Sequence, residues 1–423
     1  MKIPSCVKMI MKRLLSGGYQ AYLVGGSVRD MIMGREPHDH DIITSASPAQ
    51  VKEIFDKVIP VGEKHGTVIV VENNASFEVT SFKSLEHDLS RRDFTMNSLA
   101  MDINGKVYDY FGGVDDIKNK VIRTVGKPEQ RFREDPLRLM RAVRFAVNLD
   151  FRLHVETKAG IIENNHLIKE TAAERVRDEL CKILLSGSPG RGVRLLQECG
   201  LLRHIIPELT ECVGFEQRNR HHDRDVFEHT LAVLDNTPAI LNVRLAALLH
   251  DVAKPVTFSL DEKGEGHFFN HNIVGEQMAR VILNRLKFSN ETIASVTSLI
   301  KEHTSRYTQI STSGIKRLIR RVGAENLNDL FELQLADIKG SARPFDTSAV
   351  DRMSEEANSI LDRKEPLGVK DLAISGRDLI DMGFPPGPQI GAISKNLLEL
   401  VLEDPALNTR ESLLKVVKEK FII

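Results

Sequence analysis

Tryptophan is absent from the 423 residues, and Phe, Tyr and Trp together make up only 5% of them. That scarcity argues against a protein that binds by stacking many bases on aromatic platforms. Cysteine is nearly as scarce: Cys6, Cys181, Cys199 and Cys212 are the only four, and none belongs to a CxxC pair. They supply neither a zinc site nor a disulfide framework, and reduced, buried thiols of a cytosolic protein are expected. Net charge is also missing, because 58 Lys+Arg against 59 Asp+Glu leave −1. A chain basic throughout is excluded, but nucleic-acid binding is not, since a local basic patch suffices. No apolar run approaches the ~18–20 residues needed to cross a bilayer. The N-terminal MKIPSCVKMIMKRLLSGG is interrupted by Lys8, Lys12 and Arg13, so it reads as an amphipathic helix rather than a signal peptide. A soluble, cytoplasmic protein with no membrane partner is the expectation.

What is present is ordinary globular composition, 41% hydrophobic and 28% charged, in a chain long enough for two to four packed units at roughly 150 residues each. Residues 20–125 mix short β-rich runs with glycine turns: AYLV before Gly25-Gly26, TVIVV at 67–71 and SFEVTSF at 76–82. From about Asp135 the pattern turns helical and stays so, as in PLRLMRAVRFAV, ERVRDELCKILL and VRLAALLHDVA. An α/β N-terminal domain followed by a long helical body is predicted. SGSPGRG at 186–192 and DEKGEG at 261–266 read as loops, residues 207–225 as a polar, His-rich opening of a new segment, and Pro385-Pro386-Gly387-Pro388 as a break in the last helical region.

Four clusters in the first 150 residues carry chemistry. In YLVGGSVRDMIMG a strand runs into Gly25-Gly26 and a helix begins near Ser27. Such a turn lets backbone approach a ligand and points free N–H groups at phosphate, with Arg29 as an added donor. In HDHDII, Asp39 and Asp41 are two apart in a predicted strand and share a face. Adjacent carboxylates repel, and a divalent cation such as Mg²⁺ between them relieves that. Glu78, in the apolar strand FEVTSF, is a third carboxylate in need of a partner. RRDFTMN supplies Arg91, Arg92, Asp93 and Asn97 before a predicted helix, either a triphosphate grip or a surface salt-bridge cluster. In FREDPLRLMRAVRF, Asp135 before Pro136 reads as an N-cap with Pro at N1. Arg138, Arg141 and Arg144, spaced by three, form one drifting stripe, and Leu137, Met140 and Val143 its apolar neighbour. Residues 118–144 hold nine Lys/Arg and three Asp/Glu, the basic patch that the net charge conceals. An Asp and an Arg one turn apart can read a base edge, the carboxylate accepting from a cytosine amino group. Together these parts describe a nucleotidyl-transfer site, in which two metals activate a 3′-hydroxyl and stabilise the leaving pyrophosphate.

In these motifs the chain resembles the bacterial-type (class II) tRNA nucleotidyltransferases, the CCA-adding group of the polymerase-β-like superfamily. GGSVRD, HDHDIITSA, GEKHGTVIVV, FEVTSF, RRDFTMNSLAMD, DYFGG, EDPLRLMRAVRFA and ERVRDEL follow one another in order across roughly residues 20–210, and ISGRDLIDMGFPPGPQIG at 374–391 resembles the family's tail. The resemblance implies a polymerase-β-like head and a mainly α-helical body. It implies that Asp39 and Asp41 bind catalytic Mg²⁺ with Glu78 beside them, and that Gly25, Gly26, Arg29, Arg92, Asp93 and Asn97 hold the nucleotide. Glu134, Asp135 and Arg138 match the EDxxR motif, through which the protein itself templates the incoming nucleotide, and Arg141 and Arg144 would line the same pocket. The implied substrates are tRNA and CTP, with ATP possible. The implied layout is a head over 1–130, a nucleotide-selecting and RNA-binding neck over 131–215, and a tRNA-binding tail over 346–423.

One departure narrows the expectation. The family's full CCA-adding members carry a flexible loop between the segments matching FEVTSF and SLEHDLSRRDF, a lever that switches the pocket from CTP to ATP. Here only Lys83 separates Phe82 from Ser84, and twelve residues lie between Glu78 and Arg91. In the family, that deletion marks enzymes that add CC and leave the final A to a separate A-adding enzyme. CC addition is therefore favoured over full CCA addition with CTP and ATP. An A-adding enzyme or poly(A) polymerase is disfavoured by the same deletion.

Between 221 and 337 a second ordered set appears: His229 in HHDRDVFEHTLAVL, His250 and Asp251 in LAALLHDVAKP, His271 in GHFFNHN, His303 in LIKEH and Asp337 in LFELQLADIKG. It resembles an HD phosphohydrolase domain, placed over 216–345. His229, His250, Asp251 and Asp337 would bind one metal, and His271 and His303 would complete a second site. Imidazole and carboxylate suit a divalent transition metal or Mg²⁺, and Lys254 would contact phosphate. The implied activity is a metal-dependent phosphatase or phosphodiesterase. The alternatives are a metal-stabilised structural domain and, for the whole chain, an HD phosphohydrolase whose transferase part is degenerate.

Overall fold

The computed structural model describes residues 3–37, 39–62, 66–72, 75–218, 224–305 and 311–421. His38, Glu63–His65 and residues 219–223 of the motifs quoted above lie outside them. The chain divides into two compact units, Met1–Ile205 and Ile206–Ile423.

The first unit is built on one seven-stranded sheet, β1 (Ala21–Val24), β2 (Asp41–Thr44), β3 (Val58–Gly62), β4 (Thr67–Glu72), β5 (Ala75–Ser81), β6 (Leu99–Met101) and β7 (Val107–Asp109), in the order β3-β4-β5-β2-β1-β6-β7. Only β2 and β5 pair in parallel; the other neighbours are antiparallel. The β-branched run of β4 and the Phe77/Val79 face of β5 suit a pleated surface with one side buried. The first helix, Ser5–Ser16, buries Val7, Ile10, Met11 and Leu14, the i, i+3, i+4, i+7 stripe of an amphipathic helix.

The helices differ in detail from the sequence pattern. Asp135 does not cap the arginine helix directly. A helix Pro128–Glu134 ends on it, residues 135–137 form a turn closed by the Arg138 N–H on the Asp135 carbonyl (3.0 Å), and the next helix runs Arg138–Asn148. The Asp135 Oδ1 instead accepts from the Leu137 N–H at 3.3 Å. Arg91–Asp93 follow the helix Leu85–Ser90 and precede a single 3-10 turn, Thr95–Asn97. The predicted loop 186–192 shortens, because Pro189 starts the helix Pro189–Glu198, where its fixed φ and missing N–H cost nothing.

Among the described residues the second unit is helical apart from a small hairpin, Phe258–Leu260 with Gly266–Phe268. One core gathers where the helices Val226–Asp235, Leu241–Leu249, Asn290–Glu302 and Leu327–Gly340 pack together. A second forms near the C-terminus around Leu379, Phe384, Leu397, Val401 and Val417. The proline-rich break separates the helices Gly376–Asp381 and Pro388–Glu403. The four cysteines are free, and burial raises the thiols of Cys181 and Cys199 to about 11 and of Cys212 to about 12. Among the described residues no helix is long and apolar enough to cross a membrane.

Candidate functional sites

In the first unit, β1 delivers the chain to Gly25, whose φ of +72° lies in the left-handed region. A Cβ there would stand 2.6 Å from Arg92 Nη1, so any other residue would be strained by its φ and would displace that guanidinium. The helix Gly26–Ile32 follows, and its Ser27 Oγ donates to the Asp39 carbonyl at 2.6 Å. That bond fixes the approach to β2. The strand itself starts only at Asp41; Asp39 stands just before it. Asp41 lies in register with Glu78 across the parallel β2–β5 pair, which puts both side chains on one face.

These carboxyls feel one another. Both stay open to solvent at one edge, yet desolvation by the surrounding protein raises the pKa of Asp41; Arg92 pulls it back and Asp39 pushes it further up. Desolvation likewise raises Glu78, with Asp41 adding repulsion. A cluster of carboxyls that resist ionising together is a set of oxygen donors suited to a hard divalent cation.

Beside them runs a continuous polar chain. Arg29 Nη1 donates to Asn97 Oδ1 (2.8 Å), Asn97 Nδ2 to Asp93 Oδ1 (3.0 Å), and Arg141 to Asp93 Oδ2 through Nε (2.9 Å) and Nη2 (2.6 Å). Asp93 is buried, and burial opposes its charge, but Arg141 and Asn97 outweigh burial and hold its carboxyl below the usual range. This chain ties the turn after β1 to the arginine helix. Arg92 pairs with Asp88 at 3.3 Å. Phe145 sits among three guanidiniums, those of Arg144, Arg29 and Arg141, at 4.2, 5.3 and 5.4 Å. The sequence signal for Phe145 is an aromatic set into an arginine stripe.

An open cavity of about 600 Å³ brings together Gly25, Gly26, Arg29, Asp39, Asp41, Arg92, Asp93, Asn97, Asp135, Arg138 and Arg141 from the expected set. Arg91, read with Arg92 as part of a triphosphate grip, is on the wall too, and Ser27, Asp30 and Phe145 join without having been singled out for it. Asp30 pairs with Arg29 at 2.8 Å. Three expected residues are not on its wall. Glu78 sits beside Asp41 in the sheet. Glu134 pairs with Arg138 (2.9 Å) and Arg131 (2.6 Å). Arg144 turns to the buried Glu179 at 3.2 Å, because the helical twist carries it away from the Arg138/Arg141 face. The basic patch is thus largely neutralised: Arg123, Arg131, Arg133, Arg138, Arg141 and Arg144 each have an acidic partner. Asp135 is held by Arg175, a partner forty residues away that no local pattern reveals.

In the second unit six expected residues converge. His229 lies in Val226–Asp235, His250 caps Leu241–Leu249 with Asp251 next to it, and His271 opens His271–Arg285. His303 caps Asn290–Glu302, and Asp337 lies in Leu327–Gly340. Each histidine has Nδ1 against a backbone carbonyl: His229 on Gly340 (3.3 Å), His250 on Ala247 (2.8 Å), His271 on Phe268 (2.8 Å) and His303 on Ile300 (2.6 Å). With Nδ1–H so engaged, all four Nε2 lone pairs face inward, the second-shell arrangement of metal-bound imidazoles. Asp251 divides between two trios. Its Oδ2 lies 3.5 Å from His229 Nε2 and 3.1 Å from His250 Nε2. Its Oδ1 lies 3.5 Å from His271 Nε2 and 3.9 Å from His303 Nε2. In each trio, His229–His250–Asp251 and Asp251–His271–His303, the potential ligand atoms lie within 4.8 Å of one another. Asp337 Oδ1 is 3.0 Å from His229 Nε2. Burial lowers His271 and brings His303 down to about 3, keeping both imidazoles neutral as ligands must be. Lys254 bonds Asp251 and Gln217, both at 2.7 Å.

Comparison with known proteins agrees with the motif order. Residues 21–87 and 81–123 match the poly A polymerase head domain. Residues 150–213 match the probable RNA- and SrmB-binding site of polymerase A, and 268–417 the putative tRNA nucleotidyltransferase domain 2. The CCA-adding enzyme of Lactobacillus helveticus is 32% identical over 97% of this chain and 96% of its own. That of Staphylococcus epidermidis is 32% identical over 97% and 96%. A crystal structure of the Bacillus stearothermophilus CCA-adding enzyme in complex with CTP superposes with a TM-score of 0.76 at 29% identity, covering 99% of both chains. With its mixed-sheet head and mostly helical body, the chain belongs to the CCA-adding enzyme family and is a tRNA nucleotidyltransferase.

Proposed function

We propose that this enzyme transfers CMP from CTP to tRNA 3′ ends and stops after CC, leaving the terminal A to a separate A-adding enzyme. One observation carries this reading: β5 ends at Ser81, the helix Leu85–Ser90 is capped by Ser84, and only Phe82 and Lys83 lie between strand and cap. No chain is left over there to act as a lever on the pocket.

In this reading Asp39 and Asp41 hold Mg²⁺, with Glu78 beside them; the neighbouring, desolvated carboxyls of Asp41 and Glu78 suit a divalent cation. Bound there, Mg²⁺ supplies Lewis-acid stabilisation to the attacking 3′-hydroxyl and the leaving pyrophosphate. Arg29, Arg92 and the helix at Gly26 position the triphosphate, Asp93 and Asn97 keep Arg29 and Arg141 in place, and Asp135 with Arg138 reads the cytosine edge. The head occupies 1–130, the neck 131–215 and the tail 346–423, and the enzyme works in the cytoplasm, where its tRNA contacts are mainly to phosphates and shape.

The alternative within the family is complete CCA addition from CTP and ATP. A tRNA transcript ending at its discriminator base, and a second ending in CC, separate the two. Two residues from CTP, with none from ATP on the CC substrate, are expected. Addition of A to the CC substrate refutes the CC reading.

A second activity is favoured by Asp251, which turns one oxygen to each histidine pair. Residues 216–345 are proposed as an HD phosphohydrolase holding two divalent cations, one by His229, His250, Asp251 and Asp337, the other by Asp251, His271 and His303. Metal analysis of the purified chain is expected to give close to two ions, and Asp251→Asn to lose both.

A further inference from the structure

Phenylalanine supplies most of the few aromatic rings: 18 Phe against five Tyr and no Trp. Sixteen of the 18 are buried or half-buried. The two exposed ones are Phe269, at 69%, and Phe345, at 42%. They lie 76 residues apart in sequence, and both line one cavity of about 920 Å³. The same cavity contains Asp251, His271, His303, Asp337 and Lys254. Leaving a large apolar side chain in water forgoes burial that most of this chain's phenylalanines obtain. That both exceptions stand at the mouth of the histidine–aspartate cluster calls for a ligand.

The surroundings say which kind. Phe268 ends the hairpin strand and packs on Phe258, with ring centroids 5.5 Å apart; Phe269 is the next residue and turns outward. The His267 ring stacks on Phe269, 5.4 Å between centroids and only 14° between planes, which presents a flat face rather than an edge. On the Phe345 side, the Arg343 guanidinium lies 5.4 Å from the ring centroid. Two flat apolar faces, the Arg343 guanidinium, Lys254 already paired with Asp251, and a cluster of metal-ligand groups share one cavity, whose wall also carries Glu265 and Asp346. A greasy peptide surface would be met by a continuous apolar patch. Here the complementary ligand has a π-face at one end and a phosphate at the other.

We propose that Phe269 and Phe345 form a base-stacking shelf, and that the second site takes a nucleoside phosphate, free or at an RNA 3′ end, with its base on the shelf and its phosphate in the histidine–aspartate cluster. The inference rests on the hydrolase reading of that cluster. In the hydrolysis, the water oxygen bonds to phosphorus and the ester P–O bond breaks with its electron pair on the leaving oxygen. One water proton ends on that oxygen and the other stays with the released phosphate.

The test uses the full chain with Mn²⁺ and measures phosphate released from nucleoside monophosphates and from glycerol 2-phosphate, which has no base. Stacking of one base on an aromatic side chain predicts that Phe269→Ala, and more so the Phe269→Ala/Phe345→Ala pair, lowers the preference for nucleotide over glycerol phosphate about tenfold or more, through KM. Phe269→Tyr, which keeps the ring, is expected to keep the preference. A second readout needs no turnover: equilibrium dialysis of a nucleoside monophosphate against metal-free protein in EDTA, where the double variant is expected to lose binding by a similar factor. An RNA oligomer ending in a 3′-phosphate, set beside the free mononucleotide, identifies the source of the ligand. Absence of phosphate release from every substrate, with no metal bound, overturns the hydrolase reading; the dialysis still decides the shelf. An unchanged preference and unchanged binding in the double variant overturn the shelf.

Discussion

Arg175 meets Asp135 fork to fork, Nη1 at 3.3 Å from Oδ1 and Nη2 at 3.2 Å from Oδ2. Oδ1 also accepts from the Leu137 N–H, so the carboxylate is held from two sides. Arg138 is held as well, by Glu134, the Arg131 carbonyl and the Arg91 carbonyl. A pair so tethered would present one hydrogen-bonding pattern to a base, as the proposed CTP-only pocket requires. Arg175→Ala frees Asp135 to rotate. The expected result is a fall of about tenfold in kcat/KM for CTP, mostly in KM, with reduced discrimination against UTP and ATP. Arg175→Lys, which keeps charge but loses the planar fork, should fall between. Equal CTP kinetics in all three proteins would show that Asp135 needs no such hold.

Asp93 is the keystone of the polar chain from Arg29 to Arg141, and its removal is predicted to act first on stability. Asp93→Asn leaves Arg141, about one-third exposed, without its carboxylate. Breaking a buried pair costs about 3–5 kcal/mol, and the partial exposure of Arg141 reduces that to about 2 kcal/mol. The pH dependence carries the sign. Because the folded pKa of Asp93 lies below the ordinary 3.8, its contribution is present above 3.8 and disappears as pH falls through the lower folded value. Thermal unfolding from pH 7 to pH 3 is expected to show wild type and variant converging at the acid end. A gap that stays constant over that range contradicts the assignment.

How far these sites are legible in the sequence depends on how local their causes are. Asp39, Asp41 and Glu78 announce themselves because charged residues in or beside β-rich runs are conspicuous. The histidine set is visible because its members follow one another in a fixed order, His250, His271 and His303 at helix ends and His229 within a helix. The Gly25 turn is visible because a glycine pair after a strand marks a tight turn; such turns are common, and only the motifs that follow it make it part of a site. What stays hidden is long-range pairing. Nothing near Asp135 points to Arg175, and nothing near Arg144 says that Glu179, rather than the cavity, will receive it. Three arginines spaced by three read as one stripe, but each step of three falls short of a helical turn. The stripe drifts, and its last member leaves the pocket. The two exposed phenylalanines are invisible for a different reason: in sequence Phe269 resembles its half-buried neighbour Phe268, and only the end of the strand separates them.

Gly25 offers a test of the nucleotide cradle with little confusion from the core. Alanine there carries a φ of +72°, costing on the order of 1 kcal/mol, and its methyl would overlap Arg92 Nη1. The guanidinium can swing aside, so the fold should survive with a melting temperature lower by a few degrees. The displaced arginine, however, no longer meets a triphosphate. Gly25→Ala is expected to lower nucleotide addition by 100-fold or more while the chain remains folded by circular dichroism. Retention of more than a tenth of wild-type addition would mean that Arg92 is not a phosphate ligand.

The histidine cluster predicts how metal and acid act on the second unit. In the folded protein without metal, burial holds His303 neutral down to about pH 3, with His250 adding repulsion, and burial lowers His271 in the same direction. Unfolded, both take a proton near 6.5. Between those limits the unfolded state binds more protons, so stability falls as pH is lowered from 6.5 towards 3. His250 behaves oppositely. Burial disfavours its charge, but Asp251 outweighs burial and raises its pKa, so its contribution is complete below 6.5 and is lost as pH rises through the raised value. It therefore does not mask the acid limb. Divalent metal should add stability at pH 7–8, growing with the logarithm of metal concentration above Kd, and this gain should shrink as protons compete for the imidazoles. His303→Gln removes one acid-sensitive group and one ligand from the Asp251–His271–His303 trio. The variant is expected to unfold less steeply with acid in EDTA and to gain less from Mn²⁺ than wild type. The same acid slope and the same Mn²⁺ gain in both proteins would place His303 outside the metal cluster.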